Sequence, residues 1–226
     1  MIVLSIGGSL INPGEPDVVY LQKISEVLRH NRPLGIIAVT GGGKPARTAA
    51  EAVRKLGGNE FRADEAAILS TRQNAYLLTT AIGRKDGHVV VPQDFDEAAR
   101  SSLSGRIVVM GGTIPGLTTD ADAALIAEKL NAERIINLSN VDGIYDSDPR
   151  KDRKAKKFKQ MPFSQLVSLA MRSDERTAGT HFIFDMFACK IIARARIETH
   201  FVNGKNLIDV ENAMRGKPHG GTVVKG

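Results

Sequence analysis

Short runs of aliphatic and β-branched residues alternate along the chain with longer stretches in which apolar residues recur at helical spacing. The short runs predict strands over 2–6, 34–40, 88–91, 106–110, 134–140, 199–203 and 221–224. Helical periods are clearest over 18–28, 45–56, 63–82, 121–130, 185–196 and 207–215. This alternation is typical of a mainly parallel sheet with helices on both faces. The predicted fold class is therefore α/β, a three-layer αβα sandwich.

The length and composition favour one compact domain over residues 1–226, because 42% hydrophobic residues in 226 can bury a substantial core. The only candidate for a domain boundary is a change in composition after Asn140. The segment that follows is polar and rich in turn residues, with lysine or arginine at six of the nine positions 151–159. Such a charged run usually forms a solvated surface, and a direct phosphate contact is the less favoured interpretation.

The net charge of +6 suits either a nucleic-acid-binding protein or an enzyme with polyphosphate substrates. Aromatic residues make up only 5% of the chain and tryptophan is absent, which argues against nucleic-acid binding. Cys189 is the single cysteine and lies in an apolar helical run, so we expect a small buried side chain and a reducing compartment. Neither a cleavable signal nor a membrane span is evident, which predicts a cytoplasmic protein with no membrane partner.

Glycine-rich turns follow three of the predicted strands, in the sequences IGGS (6–9), TGGGKPAR (40–47) and MGGT (110–113). Carboxyl ends of parallel strands meet at one edge of a sheet, where open α/β folds bind ligands. Glycines let backbone N–H groups approach a ligand closely, and the helix that begins near Asp120 adds a positive N-terminus. Together the turns predict a phosphate-binding edge.

Two familiar phosphate motifs fit less well. A Walker A loop is excluded because Ala38 and Pro45 occupy positions that require glycine and a hydroxyl residue. Gly41, Gly43 and Ala46 match a G-x-G-x-x-A pattern, with Asp64 about 20 residues on, so a dinucleotide-binding oxidoreductase is an alternative. That alternative leaves the other two glycine turns unexplained.

Five segments carry a resemblance that covers essentially the whole chain: IGGS, VTGGGKPAR, MGGTIPGLTTDADAA, LSNVDGIYDSDPRKD and FDMFACKIIAR. In this order and spacing they resemble the archaeal form of the uridylate kinases, in the amino acid kinase superfamily. The resemblance implies transfer of the γ-phosphoryl group of ATP to UMP with Mg²⁺, in pyrimidine nucleotide synthesis, by a homo-oligomer expected to be a hexamer. Kinases of acetylglutamate, carbamate or isoprenyl phosphate share the fold and remain alternatives.

The resemblance also implies site residues. The acceptor part, about residues 1–135, would bind UMP through Gly42, Asp64, Thr113, Ile114, Pro115, Gly116, Leu117, Thr118 and Thr119. ATP would contact residues of both parts, the donor part being about 136–226: Gly8, Ser9, Gly43, Arg47, Asn140, Tyr145 and Asp148. The residues implied for catalysis are Lys190, Asp120 and Asp185. Mg²⁺ would be held mainly by the ATP phosphates, with Asp185 as a possible ligand.

Ordinary structural roles compete with these assignments. Asp120 and Asp185 each stand where a helix N-cap is expected, Asn140 to Asp148 contains turn residues, and Lys190 and Arg47 suit a solvent-facing helix position. Two positions also depart from the family pattern. Ser5 stands where many relatives have a lysine, and Leu117 where they often have histidine or glutamine.

Overall fold

A computed structural model describes residues 1–147, 152, 154–174 and 185–226. Within these residues, seven strands form one sheet in the order β3-β2-β1-β4-β6-β7-β5. They are β1 (Ile2–Ile6), β2 (Ile36–Thr40), β3 (Val108–Met110), β4 (Arg134–Ser139), β5 (Gln160–Met161), β6 (Glu198–Asn203) and β7 (Thr222–Val224). Every neighbouring pair is parallel except β6 and β7. The predicted mainly parallel sheet is confirmed, and strands from both sides of Asn140 belong to it.

Helices cover both faces of the sheet. They are α1 (Gly8–Ile11), α2 (Val18–His30), α3 (Gly43–Lys55), α4 (Glu60–Ile82), α5 (Phe95–Ser102), α6 (Thr119–Lys129), α7 (Phe163–Asp174), α8 (Met186–Ala195) and α9 (Leu207–Met214). One apolar cluster packs one face against α6, α7 and α8, and a second packs the other face against α2, α4 and α9. The three-layer αβα sandwich is therefore confirmed.

Strand β1 shows how the alternation of side chains directs residues to the two layers. Ile2, Leu4 and Ile6 belong to the cluster beneath α2 and α4, whereas Val3 belongs to the cluster beneath α6 and α8. Successive side chains of a strand point to opposite faces. Ser5 is consequently directed toward α6, where it is almost fully buried.

The prediction of a strand over 88–91 is wrong. Gly87, just before this range, forms an isolated β-bridge with Ile107, and the chain then runs irregularly to α5. Val89 and Val90 are about half exposed, at 47% and 53%. Strand β3 lies at the edge of the sheet, and Pro92 has no N–H group with which to extend a ladder along it. An apolar run alone therefore does not form a strand here.

The short elements α1 and β5 were not predicted, because four and two residues are too few to display a period. Cys189 is fully buried, as expected, and burial raises the pKa of its thiol. The described helices are each too short or too polar to traverse a lipid bilayer.

Candidate active site

The three predicted glycine turns lie beside one another, because β1, β2 and β3 are neighbours and run parallel. The first two turns touch through their backbones. A Cβ atom added to Gly8 would stand 2.0 Å from the Gly43 nitrogen, and one added to Gly41 would stand 2.7 Å from the Gly8 nitrogen. Gly43 also has φ +67°, a left-handed conformation that favours glycine. Only glycine allows this close approach.

Helix α3 begins at this junction and presents its N-terminus to the same edge. Its N-cap is Gly42, and no side chain accepts a hydrogen bond from its first turn. The Lys44 N–H donates to the Asn12 carbonyl at 3.2 Å. A helix N-terminus without a side-chain cap, together with the helix dipole, favours an anion at such a position. Arg47 lies one turn into α3 and is exposed, while Gly8 and Ser9 open α1 on the neighbouring turn.

Polar side chains in the middle of α4 hold the glycine turns in place. Asn74 donates to the Gly41 carbonyl at 2.8 Å, and Thr71 Oγ1 accepts from the Gly112 N–H at 2.7 Å. Arg72 donates to the carbonyls of Gly112, at 3.2 Å, and Thr113, at 3.1 Å. These residues were not predicted from the sequence. The available signal was a polar TRQN segment inside a long helix, with Thr71 and Asn74 on its buried face.

The segment Thr113–Thr119 joins the end of β3 to α6. Asp64 on α4 accepts a hydrogen bond of 2.9 Å from the Gly116 N–H, which brings together two residues of the predicted acceptor set that are 52 positions apart. Gly116 has φ +89°. Along the same segment, Ile114 is exposed, Pro115 is half-buried, and Leu117 packs on the apolar cluster beneath α6.

The first turn of α6 carries two carboxylates with different surroundings. Thr118 caps the helix by accepting from the Ala121 N–H, so the capping role considered for Asp120 is wrong. Asp120 instead accepts from Ser5 Oγ at 2.6 Å and from Asn137 Nδ2 at 3.2 Å. Ser5 and Asn137 are register partners on β1 and β4. The sheet thus holds the Asp120 carboxylate at its edge.

Asp122 is fully buried and accepts from both the N–H and the hydroxyl of Thr113, at 3.2 and 2.6 Å. Burial raises the pKa of Asp122 to about 6, although the hydrogen bonds from Thr113 and the positive charge of Arg72 act in the opposite direction. Asp122 was not predicted from the sequence as a site residue. Its signal was a carboxylate within the alanine-rich run of α6.

Helix α8 carries the predicted cation and packs beside α6. Asp185 is its N-cap and accepts from the Ala188 N–H at 3.1 Å, so the expected capping role is present. Lys190 lies within the first half of the helix and is exposed. The negative charges of Asp185 and Asp120 act on the Cys189 thiol and, like its burial, raise its pKa. The N-termini of α6 and α8 therefore lie close together.

The loop after β4 contains the remaining predicted donor residues. Asn140 is exposed, and the Tyr145 hydroxyl donates to Asp142 at 2.7 Å, a bond that raises the pKa of Tyr145 to about 12. Lys157 donates to Asp142 and to the Gly220 carbonyl, both at 2.7 Å. Lys157, one of the basic residues in 151–159, thus stabilises the loop. Asp148 lies outside the described residues.

Comparison with known proteins places this arrangement in a family. The model of the amino acid kinase family matches residues 1–203. The uridylate kinase of Thermococcus onnurineus is 41% identical over 225 residues, 99% of each chain, and that of Methanobrevibacter smithii is 40% identical over 224 residues, 99% of this chain and 98% of its relative. The crystal structure of uridylate kinase from Archaeoglobus fulgidus superposes with a TM-score of 0.88 at 38% identity, covering 99% of both chains. The chain belongs to the amino acid kinase family, and these full-length relatives within it are uridylate kinases.

Proposed function

We propose that this protein transfers the γ-phosphoryl group of ATP to UMP, giving UDP and ADP, as a step of pyrimidine nucleotide synthesis in the cytoplasm. The observation that carries the proposal is the edge of the sheet where three glycine turns, a helix N-terminus without a side-chain cap and the Asp120 carboxylate converge. Phosphoryl transfer depends mainly on positioning two anionic partners and on neutralising charge, which such an edge can supply.

The acceptor nucleotide binds in the part of the chain up to about residue 135. Gly42, Asp64 and the segment Thr113–Thr119 form its site. The hydrogen bond between Asp64 and Gly116 supports this assignment, because it joins Asp64 directly to the segment Thr113–Thr119. The bonds from Arg72 to the carbonyls of Gly112 and Thr113 support it further, because they fix the start of the segment.

The donor nucleotide binds to the part of the chain from about residue 136 onward and to the first two glycine turns. Gly8, Ser9, Gly43 and Arg47 contact its phosphates, and the loop of Asn140, Tyr145 and Asp148 contacts the rest. The close backbone packing of Gly8 and Gly43 supports a site in which main-chain N–H groups approach phosphate oxygens.

Charge on the migrating group is neutralised by Lys190 and Arg47 with Mg²⁺, and Asp120 and Asp185 orient these cations. Magnesium prefers oxygen ligands and is usually held by one or two carboxylates together with substrate phosphates. Asp185 and Asp120 supply carboxylates of that kind, and the charge of both reaches Cys189. When bound, the ion would polarise the phosphate oxygens and stabilise the negative charge that they carry in the transition state.

The protein assembles as a homo-oligomer, and we expect a hexamer built from dimers. Helix α4 supports this expectation, since Phe61, Leu69 and Tyr76 on it are each more than half exposed. Exposed apolar side chains on one element are a feature of interaction surfaces. Light scattering at micromolar concentration tests the expectation, and a stable monomer would contradict it.

The activity is tested by ADP formation from ATP with five rival acceptors: UMP, CMP, acetylglutamate, carbamate and an isoprenyl phosphate. We expect magnesium-dependent turnover with UMP far above that with the others. A better rate with acetylglutamate, carbamate or isoprenyl phosphate would overturn the UMP assignment and leave the family assignment intact. Removal of magnesium with a chelator, followed by its restoration, provides the control for the metal requirement.

A further inference from the structure

Asp122 stands out because it is the one fully buried acidic side chain in the part of the chain that the structure describes. Burying a carboxylate is unfavourable unless hydrogen bonds compensate, and both bonds here come from one residue, Thr113. Thr113 is the first residue of the proposed acceptor segment. The pairing therefore connects a buried charge to the binding site.

The contact with Asp122 fixes the direction of the hydrogen bond that the Thr113 hydroxyl makes. An ionised carboxylate has no proton to donate, so the 2.6 Å contact is a donation from Thr113 Oγ1 to Asp122 Oδ1. A threonine hydroxyl has a single proton, and that proton is committed to Asp122. Toward any ligand, the Thr113 oxygen offers lone pairs alone.

The other polar groups of Thr113 are engaged as well. Its N–H donates to Asp122, and its carbonyl accepts from Arg72. Gly112 is held in the same way, its N–H by Thr71 and its carbonyl by Arg72. Thr113 keeps 8% of its surface exposed. A ligand beside this part of the segment thus meets a rigid acceptor.

We propose that Asp122 is a positioning residue that makes Thr113 an obligatory hydrogen-bond acceptor and so selects uracil over cytosine in the acceptor nucleotide. In a nucleotide the uracil ring has one N–H donor, at N3, whereas cytosine has an unprotonated acceptor at N3. An acceptor placed for the uracil N3–H would face a lone pair in cytosine. The inference rests on the proposed function, because it needs the acceptor nucleotide beside Thr113.

The main test measures kcat/KM for UMP, CMP and 2′-deoxy-UMP at pH 8 in the full-length protein and in Asp122→Asn. The side-chain amide introduced by this substitution can donate to Thr113, so we expect the UMP/CMP ratio to fall roughly 10-fold or more. Asp96→Asn, an exposed residue paired with Lys129, is the matched control and should keep the ratio of the unaltered protein.

Variants of Thr113 keep the inference testable should Asp122→Asn fold poorly. Thr113→Val should lower the ratio, whereas Thr113→Ser, which retains the hydroxyl, should preserve it. The double variant with Asp122→Asn should lower the ratio no further than either change alone, because both act through one hydroxyl. Thermal melting of each variant identifies those that fold.

The outcomes separate this inference from the proposed function. Absence of UMP phosphorylation in the unaltered protein would contradict the proposed function itself. Phosphorylation of UMP with a UMP/CMP ratio that stays within about twofold in both Asp122→Asn and Thr113→Val would overturn the role of Asp122 alone. A change in the ratio of UMP to 2′-deoxy-UMP instead would also overturn it, because Thr113 would then accept from the ribose.

Discussion

Ser5 and Asp120, 115 positions apart in the sequence, are joined by a hydrogen bond of 2.6 Å from the serine hydroxyl to the carboxylate. Asn137, the register partner of Ser5 on β4, donates to the same oxygen at 3.2 Å. Two strands therefore orient one carboxylate at the start of α6. Serine fills this role without adding the positive charge that a lysine would bring.

Replacing Ser5 with alanine removes the shorter of these bonds. We expect Ser5→Ala to lower kcat/KM about 3- to 10-fold, because one neutral donor to a charged group contributes modestly and Asn137 remains. Steady-state ADP formation measures the effect. Ser25→Ala is a matched control, since Ser25 is also buried and donates at 2.7 Å, but to the Gln22 carbonyl in α2. Equal losses in both variants would contradict the role of Ser5.

The charge of Asp185 can be separated from its capping role. Asparagine is as good an N-cap as aspartate, so Asp185→Asn should keep the melting temperature of the unaltered protein while lowering kcat at least about 10-fold. Asp185→Ala should lose both, with a melting temperature about 2–4 °C lower for a chain of this size.

Asp94 provides the control for Asp185, because it caps α5 through an analogous bond to the Glu97 N–H. Asp94→Ala should lower the melting temperature by a similar amount and leave kcat unchanged. If Asp185→Asn retained full turnover, capping would be the whole role of Asp185.

The sequence predicted the sheet well where apolar runs end in glycine, as at Ile6, Thr40 and Met110, because such runs combine a local preference with a turn. It failed at Val89 and Val90, whose strand-like character depends on a partner strand that the pattern cannot reveal. The sequence likewise predicted some features of the site and not others. Glycine turns are local signals, whereas the bonds of Asp64 to Gly116 and of Ser5 to Asp120 depend on which elements become neighbours in the fold.

Asp122 illustrates the limit most clearly. A carboxylate in the first turn of a helix ordinarily signals a solvent-facing residue that complements the helix dipole. Its complete burial follows from the packing of α6 against the sheet, and its partner Thr113 belongs to the preceding loop. Spacing alone indicates neither fact.

His200 on β6 and His219 before β7 form a pair whose contribution to stability should depend on pH. The Gly221 N–H donates to His219 Nδ1, so His219 Nε2 carries the proton that bonds His200 Nδ1 at 2.8 Å. His200 Nε2 then donates to Glu198 at 2.8 Å. This chain of bonds requires both rings to be neutral. Burial lowers the pKa of both histidines, more than the charges of Glu198 and Asp209 raise it.

The direction of the pH effect follows from these lowered pKa values. The unfolded histidines, near their ordinary pKa of 6.5, take up protons before the folded ones do. The contribution of this pair to the free energy of unfolding is therefore greatest above about pH 6.5 and falls as the pH decreases through and below that value. Urea unfolding between pH 5 and 8 measures the slope. His200→Gln should reduce it and His88→Gln, outside the pair, should not; an unchanged slope in His200→Gln would contradict the assignment.

Lys190 should have an unusually large share in neutralising the migrating phosphoryl group, because Ser5 supplies no charge at the end of β1. Removing a preorganised cation that acts mainly in the transition state should lower kcat by about 10²- to 10³-fold in Lys190→Ala, with much less effect on KM. Lys190→Arg should recover little, since the guanidinium is planar and wider than an ammonium group. Arg194→Ala, on the same helix and paired with Glu128 at the surface, should leave turnover unchanged. If Lys190→Ala keeps near-normal turnover, Lys190 only faces solvent and Arg47 with Mg²⁺ performs the neutralisation; Ser5→Lys would then be the variant that tests whether a second cation at this edge adds to the rate.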